Sequence, residues 1–251
     1  MKKVFLKLIK ILATKREIIF LGSKYGGWHF YDHESIKNSF VISAGVGTDV
    51  SFDIELMQKY NTKIVFIDPT PESIIHLTKV INAIGKSKNQ DYSDDGKQSI
   101  NAYNLENLNK DYFLIEEYAL YNSSKDTVKF YKPKNNKHIS HSISNWQNNY
   151  SQSTPYIEVS TINLNSIIKK YFIEKISILK LDIEGAEYPV LISMLKDNIH
   201  PVQILVEFDE LHLKKFKNYL KYFNLILKLI KYYELIETKN YPNFLFVKKS
   251  Y

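Results

Sequence analysis

Five short runs of consecutive apolar residues limit what this chain can fold into: "SFVISAGV", "KIVFIDP", "YFLIEEYALY", "ISILKLDIEG" and "VQILVEFDE". A strand with one wet face alternates apolar and polar residues. An unbroken apolar run needs cover on both faces, as in a parallel sheet between helices. Helix-period segments stand between the runs: "SFDIELMQKY", "PESIIHLTKVINAI", with Pro71 suited to a first turn, and "AEYPVLISMLKD". The chain's end differs. After the amphipathic "HLKKFKNYLKYFNLILKLIKYY", a long helix by its period, "YELIETK" and "NFLFVKK" are joined only across Asn240-Tyr241-Pro242. That connection is too short for a parallel crossover, so the two strands must run antiparallel. The expectation is an α/β fold: a mostly parallel seven-stranded sheet with an antiparallel C-terminal hairpin and helices on both faces.

The first unit, "VISAGVGTDVSFDIEL", is a strand, a glycine turn on Gly45 and Gly47, and a helix. This layout holds many nucleotide-shaped ligands. The dinucleotide fingerprint Gly-x-Gly-x-x-Gly lacks its third glycine, because position 50 is valine. Asp49 stands just after the glycine pair, where a carboxylate repels a pyrophosphate and suits a cation. Asp68 ends the next strand and can accept both ribose hydroxyl protons. S-adenosylmethionine, with a sulfonium, an ammonium and no phosphate, meets these demands, and the terminal hairpin is the layout of class I methyltransferases, a Rossmann-like fold.

Composition excludes some chemistry. There is no cysteine, so no disulfide, thiolate metal site or cysteine nucleophile. The net charge is +7, but Arg16 is the sole arginine. The abundance of Lys, Asn, Ile and Tyr reads as codon bias, so the basic balance is a solvated lysine surface and no nucleic-acid partner is expected. Phe5, Leu8, Ile9 and Leu12 form one helical stripe opposite Lys3, Lys7 and Lys10. That helix is expected to dock on the body or on a second subunit, which makes a homo-oligomer, with a membrane-surface helix as the alternative. Lys7 and Lys10 break any signal-peptide core, and no apolar run nears the ~20 residues that span a bilayer. No transmembrane segment and a cytoplasmic location are expected. Residues 1–35 read as an N-terminal helix and lead-in, and 36–251 as the main domain. Two polar stretches interrupt it: 85–111, a surface loop by composition, and 132–155, too long for a plain connector and so functional or disordered. The second holds His138, Ser140, His141, Ser142 and Trp146, and is taken as a substrate loop.

The chain resembles the FkbM family of S-adenosylmethionine-dependent methyltransferases, which mostly methylate hydroxyls on sugars and natural products. "LGSKYGGW", "VISAGVGTDVSFD", "FIDPTP", "YALYNSSKDTVKFY", "HISHSI", "ILKLDIEGAEYPVL" and "ILVEFDE" carry the resemblance, "KLDIEGAEYPVL" most specifically. The resemblance implies that Gly45, Gly47, Asp49 and Asp68 line the cofactor site, with Tyr118 and Ala119 near the adenine. Ser43 is counted with them, although many methyltransferases are acidic there; Asn163 stands where the family often has aspartate.

Methyl transfer to a sugar hydroxyl needs a general base or a metal, because the hydroxyl is too weak an acid to ionise alone. Asp182 and Glu207 end adjacent strands, with Asp209 two residues on. The expectation is catalysis by Asp182 with His141 and His138, and a divalent ion (magnesium, manganese or iron) on Asp182, Glu207 and His141. The bland alternative makes Asp182 a helix cap or a hydrogen-bond partner of the cofactor, and the histidines loop surface. Glu184 and Glu187 read as favourable charges at a helix N-terminus. The function expected is O-methylation of a sugar, a nucleotide-activated one for surface polysaccharide. The rivals are a nucleic-acid methyltransferase, whose Asn/Asp-Pro-Pro-aromatic motif is replaced here by "DIEG", and a non-catalytic cofactor-binding module.

Overall fold

A computed structural model describes residues 2–124, 126–134, 140–238 and 240–251. Helix α1 (Lys2–Leu12) leads into β1 (Ala13–Thr14) and a hairpin of β2 (Ile19–Leu21) and β3 (Trp28–Phe30). Then come β4 (Phe40–Ala44), α2 (Ser51–Tyr60), β5 (Lys63–Ile67), α3 (Pro71–Asn82) and β6 (Phe113–Glu116). A side sheet follows, from β7 (Ala119–Leu120), β8 (Thr127–Tyr131) and β9 (Tyr156–Ile162). The rest is α4 (Leu164–Tyr171), β10 (Ile176–Leu181), α5 (Glu187–Lys196), β11 (Gln203–Glu207), α6 (Phe216–Leu229), β12 (Tyr233–Ile236) and β13 (Asn243–Lys248).

The main sheet has the order β1-β12-β13-β11-β10-β4-β5-β6. Strands β6, β5, β4, β10 and β11 are parallel, and β13 runs antiparallel to both β11 and β12. The sheet therefore has eight strands rather than the expected seven. The extra one is β1, with Ala13 opposite Leu235 and Thr14 opposite Ile236. Arg16 stabilises this edge: its Nε donates to Glu234 at 2.9 Å and its guanidinium to the Tyr251 carbonyl at 2.9 Å. Two residues carry no periodicity, so the pattern cannot show such a strand.

The apolar runs are buried because successive side chains enter different cores. Ile42, Val65, Leu179 and Ile204 join one cluster, with residues of α4, α5 and α6. Val41, Ile64, Ile178 and Leu205 join the other, with residues of α2 and α3. Each buried aliphatic side chain contributes roughly 1.5–3 kcal/mol.

Three local expectations are corrected. "YFLIEEYALY" is two strands: β6 stays in the main sheet while β7 pairs with β9. The C-terminal helix begins at Phe216, not at His212, because Lys214 takes the left-handed φ of 52° after the short 3-10 turn Asp209–Leu213. In α1, Phe5, Leu6, Ile9 and Leu12 face the core, and Leu8 is exposed.

Gly45 is the tightest backbone position. Its φ is +75°, and a Cβ there would stand 1.6 Å from the Asp182 carbonyl oxygen. Gly85, at φ +94°, has nothing within 4 Å of such a Cβ. Gly45→Ala should therefore destabilise by roughly 3 kcal/mol or more, or prevent folding, and Gly85→Ala by only about 1 kcal/mol. Thermal denaturation of the two variants checks this, and equal losses would refute the close contact.

Candidate active site

The parallel strands all end on one edge, and their carboxyl ends open into a cavity of 360 Å³. That is within the range of small-molecule sites, ~300–1,000 Å³. Gly45, Gly47, Asp49, Asp68, Ala119, His141, Asp182 and Glu207 all line it. Tyr118, also expected there, is part-exposed and not in its wall. Ser43 is wholly buried and is not in the cavity wall. His138 lies outside the described residues.

Asp68 shapes the glycine turn. Its Oδ2 accepts from the Val46 and Gly47 N–H groups at 2.9 and 3.1 Å, and its Oδ1 from Thr70 N–H at 2.8 Å. A carboxylate with more lone pairs than these bonds use can still accept from a ligand. A Cβ on Gly47 would meet nothing within 4 Å, so that residue faces open space. Asp49 is buried: Ser23 Oγ (2.6 Å), Ser51 N–H (3.0 Å) and Gln98 Nε2 (2.8 Å) donate to it. Its first task is to tie the start of α2 to two loops, although it also borders the cavity.

Gln98 corrects the reading of 85–111 as a surface loop. It is buried, its N–H donates to the Thr48 carbonyl at 3.1 Å, and buried Tyr103 accepts from Val50 N–H at 3.2 Å. Sequence reading also missed Lys180, Trp28 and Tyr25, all of which line the cavity. Lys180 is 4% exposed and donates to the Gly45 carbonyl at 3.1 Å, with its Nζ 5.7 Å from the Trp28 ring centre. The available signal was a lone charge within the apolar run "ISILKL".

The cavity floor is acidic. Asp182, Glu184 and Asp209 bring carboxylate oxygens within 4.8 Å of one another, and a ring nitrogen of His212 lies equally close to carboxylate oxygens of Glu207 and Asp209. Burial, and then Glu207, pushes Asp182 up to about 7, against the opposing pull of Lys180. Burial pushes Glu187 to about 8, and raises Glu184 and Asp209 well above the carboxylate range, each helped by its acidic neighbours. Glu187 does stand in the first turn of α5, but it is fully buried and accepts from Gly185 N–H at 2.9 Å. Glu184 takes a left-handed φ of 55° in the preceding turn. The expected helix N-terminal position thus holds for Glu187, whose burial adds a cost that the helix end alone does not explain.

The expected ligand set of Asp182, Glu207 and His141 does not assemble as one group among the described residues. His212 joins the acids instead, 3.3 Å from Glu207 and stacked on Trp146 at 5.9 Å between centroids. His141 stacks on Phe130 in the wall, at 5.4 Å.

The described part of the 132–155 segment packs over this floor. Ser142 pairs with Tyr131 as a β-bridge and donates from Oγ to the Glu184 carbonyl. Gln147 Nε2 donates to the Glu184 carboxylate at 2.9 Å. A Cβ on Gly185 would lie 2.3 Å from Ser144 Oγ.

The methyltransferase FkbM domain matches residues 35–235. The chain belongs to the FkbM methyltransferase family. No curated protein and no solved structure matches it. The large, mostly parallel sheet with its helices fits a methyltransferase fold, and membership in an FkbM methyltransferase family implies a cofactor of the S-adenosylmethionine type. This chain's residues fit that group. The turn leaves Gly47 open, and the carboxylates around the cavity suit a cationic sulfonium while disfavouring a pyrophosphate.

The buried acids of this FkbM methyltransferase make its stability depend on pH. Asp182 and Glu187 are raised above their unfolded values of about 4, so their contribution is full below about pH 4 and is lost as pH rises through about 7–8. In chelator, the melting temperature should fall between about pH 5 and about pH 8, and Asp182→Asn should flatten that slope. A melting temperature that rises across this window in the parent protein would contradict the acidic floor.

Proposed function

We propose that this FkbM methyltransferase transfers a methyl group to a sugar hydroxyl, on a nucleotide-activated sugar for surface polysaccharide, in the cytoplasm. The observation that carries this reading is one cavity joining the Gly45–Gly47 turn and Asp68 to Asp182 and Glu207. S-adenosylmethionine, when bound, supplies an electrophilic methyl group.

The chain's residues supply the rest. The turn, with Asp68 behind it, binds the cofactor, and Asp49 adds negative charge beside it. Asp182, pushed up to about 7, is matched to accepting a hydroxyl proton near neutral pH. His141, in the same wall, is a second acceptor. The segment around Ser142 and Gln147 covers the floor and keeps water from the reacting atoms. Carboxylates lining the cavity argue against a nucleic-acid backbone inside it. They also disfavour the diphosphate of a nucleotide sugar inside the cavity, and Lys132 and Lys134 of the 132–155 segment are the cations proposed to hold it.

As the alternative to a free base at Asp182, the same floor supports a divalent cation. Like charges held this close raise one another's proton affinity, and a cation relieves that conflict. Asp209 is 3% exposed with its Oδ2 unpartnered. Asp182, Glu184 and Asp209 are the oxygen donors for magnesium or manganese, and Glu207 with His212 extends the set towards iron.

The test incubates the enzyme and S-adenosylmethionine with a panel of nucleotide sugars, free sugars and total RNA. Mass spectrometry should show a gain of one methylene on a nucleotide sugar. Asp182→Asn should lower turnover roughly 100-fold or more while cofactor affinity is kept. Methylation of RNA alone would overturn the sugar assignment. Full turnover after exhaustive chelation, with no metal found by elemental analysis, would remove the cation and leave the base.

A further inference from the structure

The surface of the molecule carries a feature that methyl transfer does not use. Helix α1 docks on the body through Phe5, Leu6, Ile9 and Leu12, and the Phe5 ring lies 5.2 Å from that of Tyr219 on α6. Its other positions face outward. Val4 is 62%, Leu8 41% and Ile11 70% exposed. Positions i, i+4 and i+7 form one stripe along a helix. Helix α6 carries a second exposed apolar series, Phe216 at 64%, Leu220 at 51% and Leu227 at 38%.

The charge on the helix itself has one sign, and the acid beside it, Glu237, stands 4.0 Å from Lys10 at its end. Helix α1 holds Lys2, Lys3, Lys7 and Lys10 and no acidic residue. Lys7 falls on the same face as Val4, Leu8 and Ile11, and Lys214, Lys215 and Lys217 stand at the start of α6. No helix among the described residues is long and apolar enough to cross a membrane, so any attachment through this face is peripheral.

We propose that α1, beside α6, seats this protein on an anionic membrane surface. An apolar stripe beside lysines needs a partner offering both a hydrophobic layer and negative charge. Anionic lipid offers both at once. A second copy of the chain offers the apolar stripe but brings its own lysines, with no acid on α1 to answer them. Insertion is shallow, because the opposite side of α1 is already packed against the protein core. The attachment is therefore reversible and weakens with salt.

The experiment floats the full chain with vesicles of phosphatidylcholine alone or with about 30% phosphatidylglycerol, at low salt and at about 0.5 M salt. Partition onto the anionic vesicles should exceed that onto neutral ones by roughly ten-fold or more and should collapse at high salt. Val4→Glu with Ile11→Glu should abolish it. Lys3→Glu with Lys7→Glu should weaken it several-fold. All four positions lie on exposed faces of α1, so unchanged melting temperatures confirm that the variants fold. Equal partition onto both vesicle types, or anionic binding that survives Val4→Glu with Ile11→Glu, overturns the proposal. So does a concentration-dependent dimer, by light scattering, that the same double variant dissolves without vesicle binding in the parent, since a second copy would then be the occupant.

Discussion

The contact between the first glycine turn and the end of the neighbouring strand underlies the whole site. Strands β4 and β10 pair in parallel to their ends, where Asp182 N–H donates to the Ala44 carbonyl at 3.0 Å. Beyond that bond the chains approach until only a glycine fits beside the Asp182 carbonyl. Lys180 ties the same point from below by donating to the Gly45 carbonyl. One backbone junction thus fixes both the glycine turn and the Asp182 carboxylate in the wall of the same cavity. A side chain at Gly45 would push these two apart, and alignment is what in-line transfer depends on.

Placing several acids next to that junction has an electrostatic cost. Asp182, Glu184, Glu187 and Asp209 are held by backbone geometry and neighbouring loops, with one buried lysine nearby. Burial disfavours their charged forms, and each charge disfavours the next. Protons or a cation must carry the balance. On the proposed mechanism, the arrangement expected to weaken the fold at higher pH is the one that raises the proton affinity of Asp182, so stability and reactivity oppose one another.

The loops turn strand ends into an enclosed space. The N-terminal lead-in provides Tyr25 and Trp28 to the wall and Ser23 to Asp49. The segment after α3 provides Gln98 to the same carboxylate. The segment before β9 lays Ser142 and Gln147 over Glu184. Asp49 is thus a hub for loops far apart in sequence, and this explains its burial more fully than a contact with a bound cation would.

By itself the sequence determined the elements whose cause is local or periodic. Unbroken apolar runs required a sheet covered on both faces, and the glycine pair placed a turn at the end of β4. Strand-end positions alone located Asp68, Asp182 and Glu207, because parallel strands bring their carboxyl ends to one edge. The tertiary structure decided what depends on contacts between distant segments. The strand Ala13–Thr14 exists only because β12 offers it an edge. Gln98 and Tyr103 sit in a polar stretch whose composition says surface, yet their partners are at the glycine turn. His212 rather than His141 joins the acids, because the 3-10 turn after β11 carries it back to Glu207. Glu187 reads as a helix-end charge, yet it is a buried acid whose proton affinity is raised, since only the surrounding fold removes it from water. Periodicity reports which face of an element is covered; only the packed chain fixes which polar atoms meet there and in what charge state.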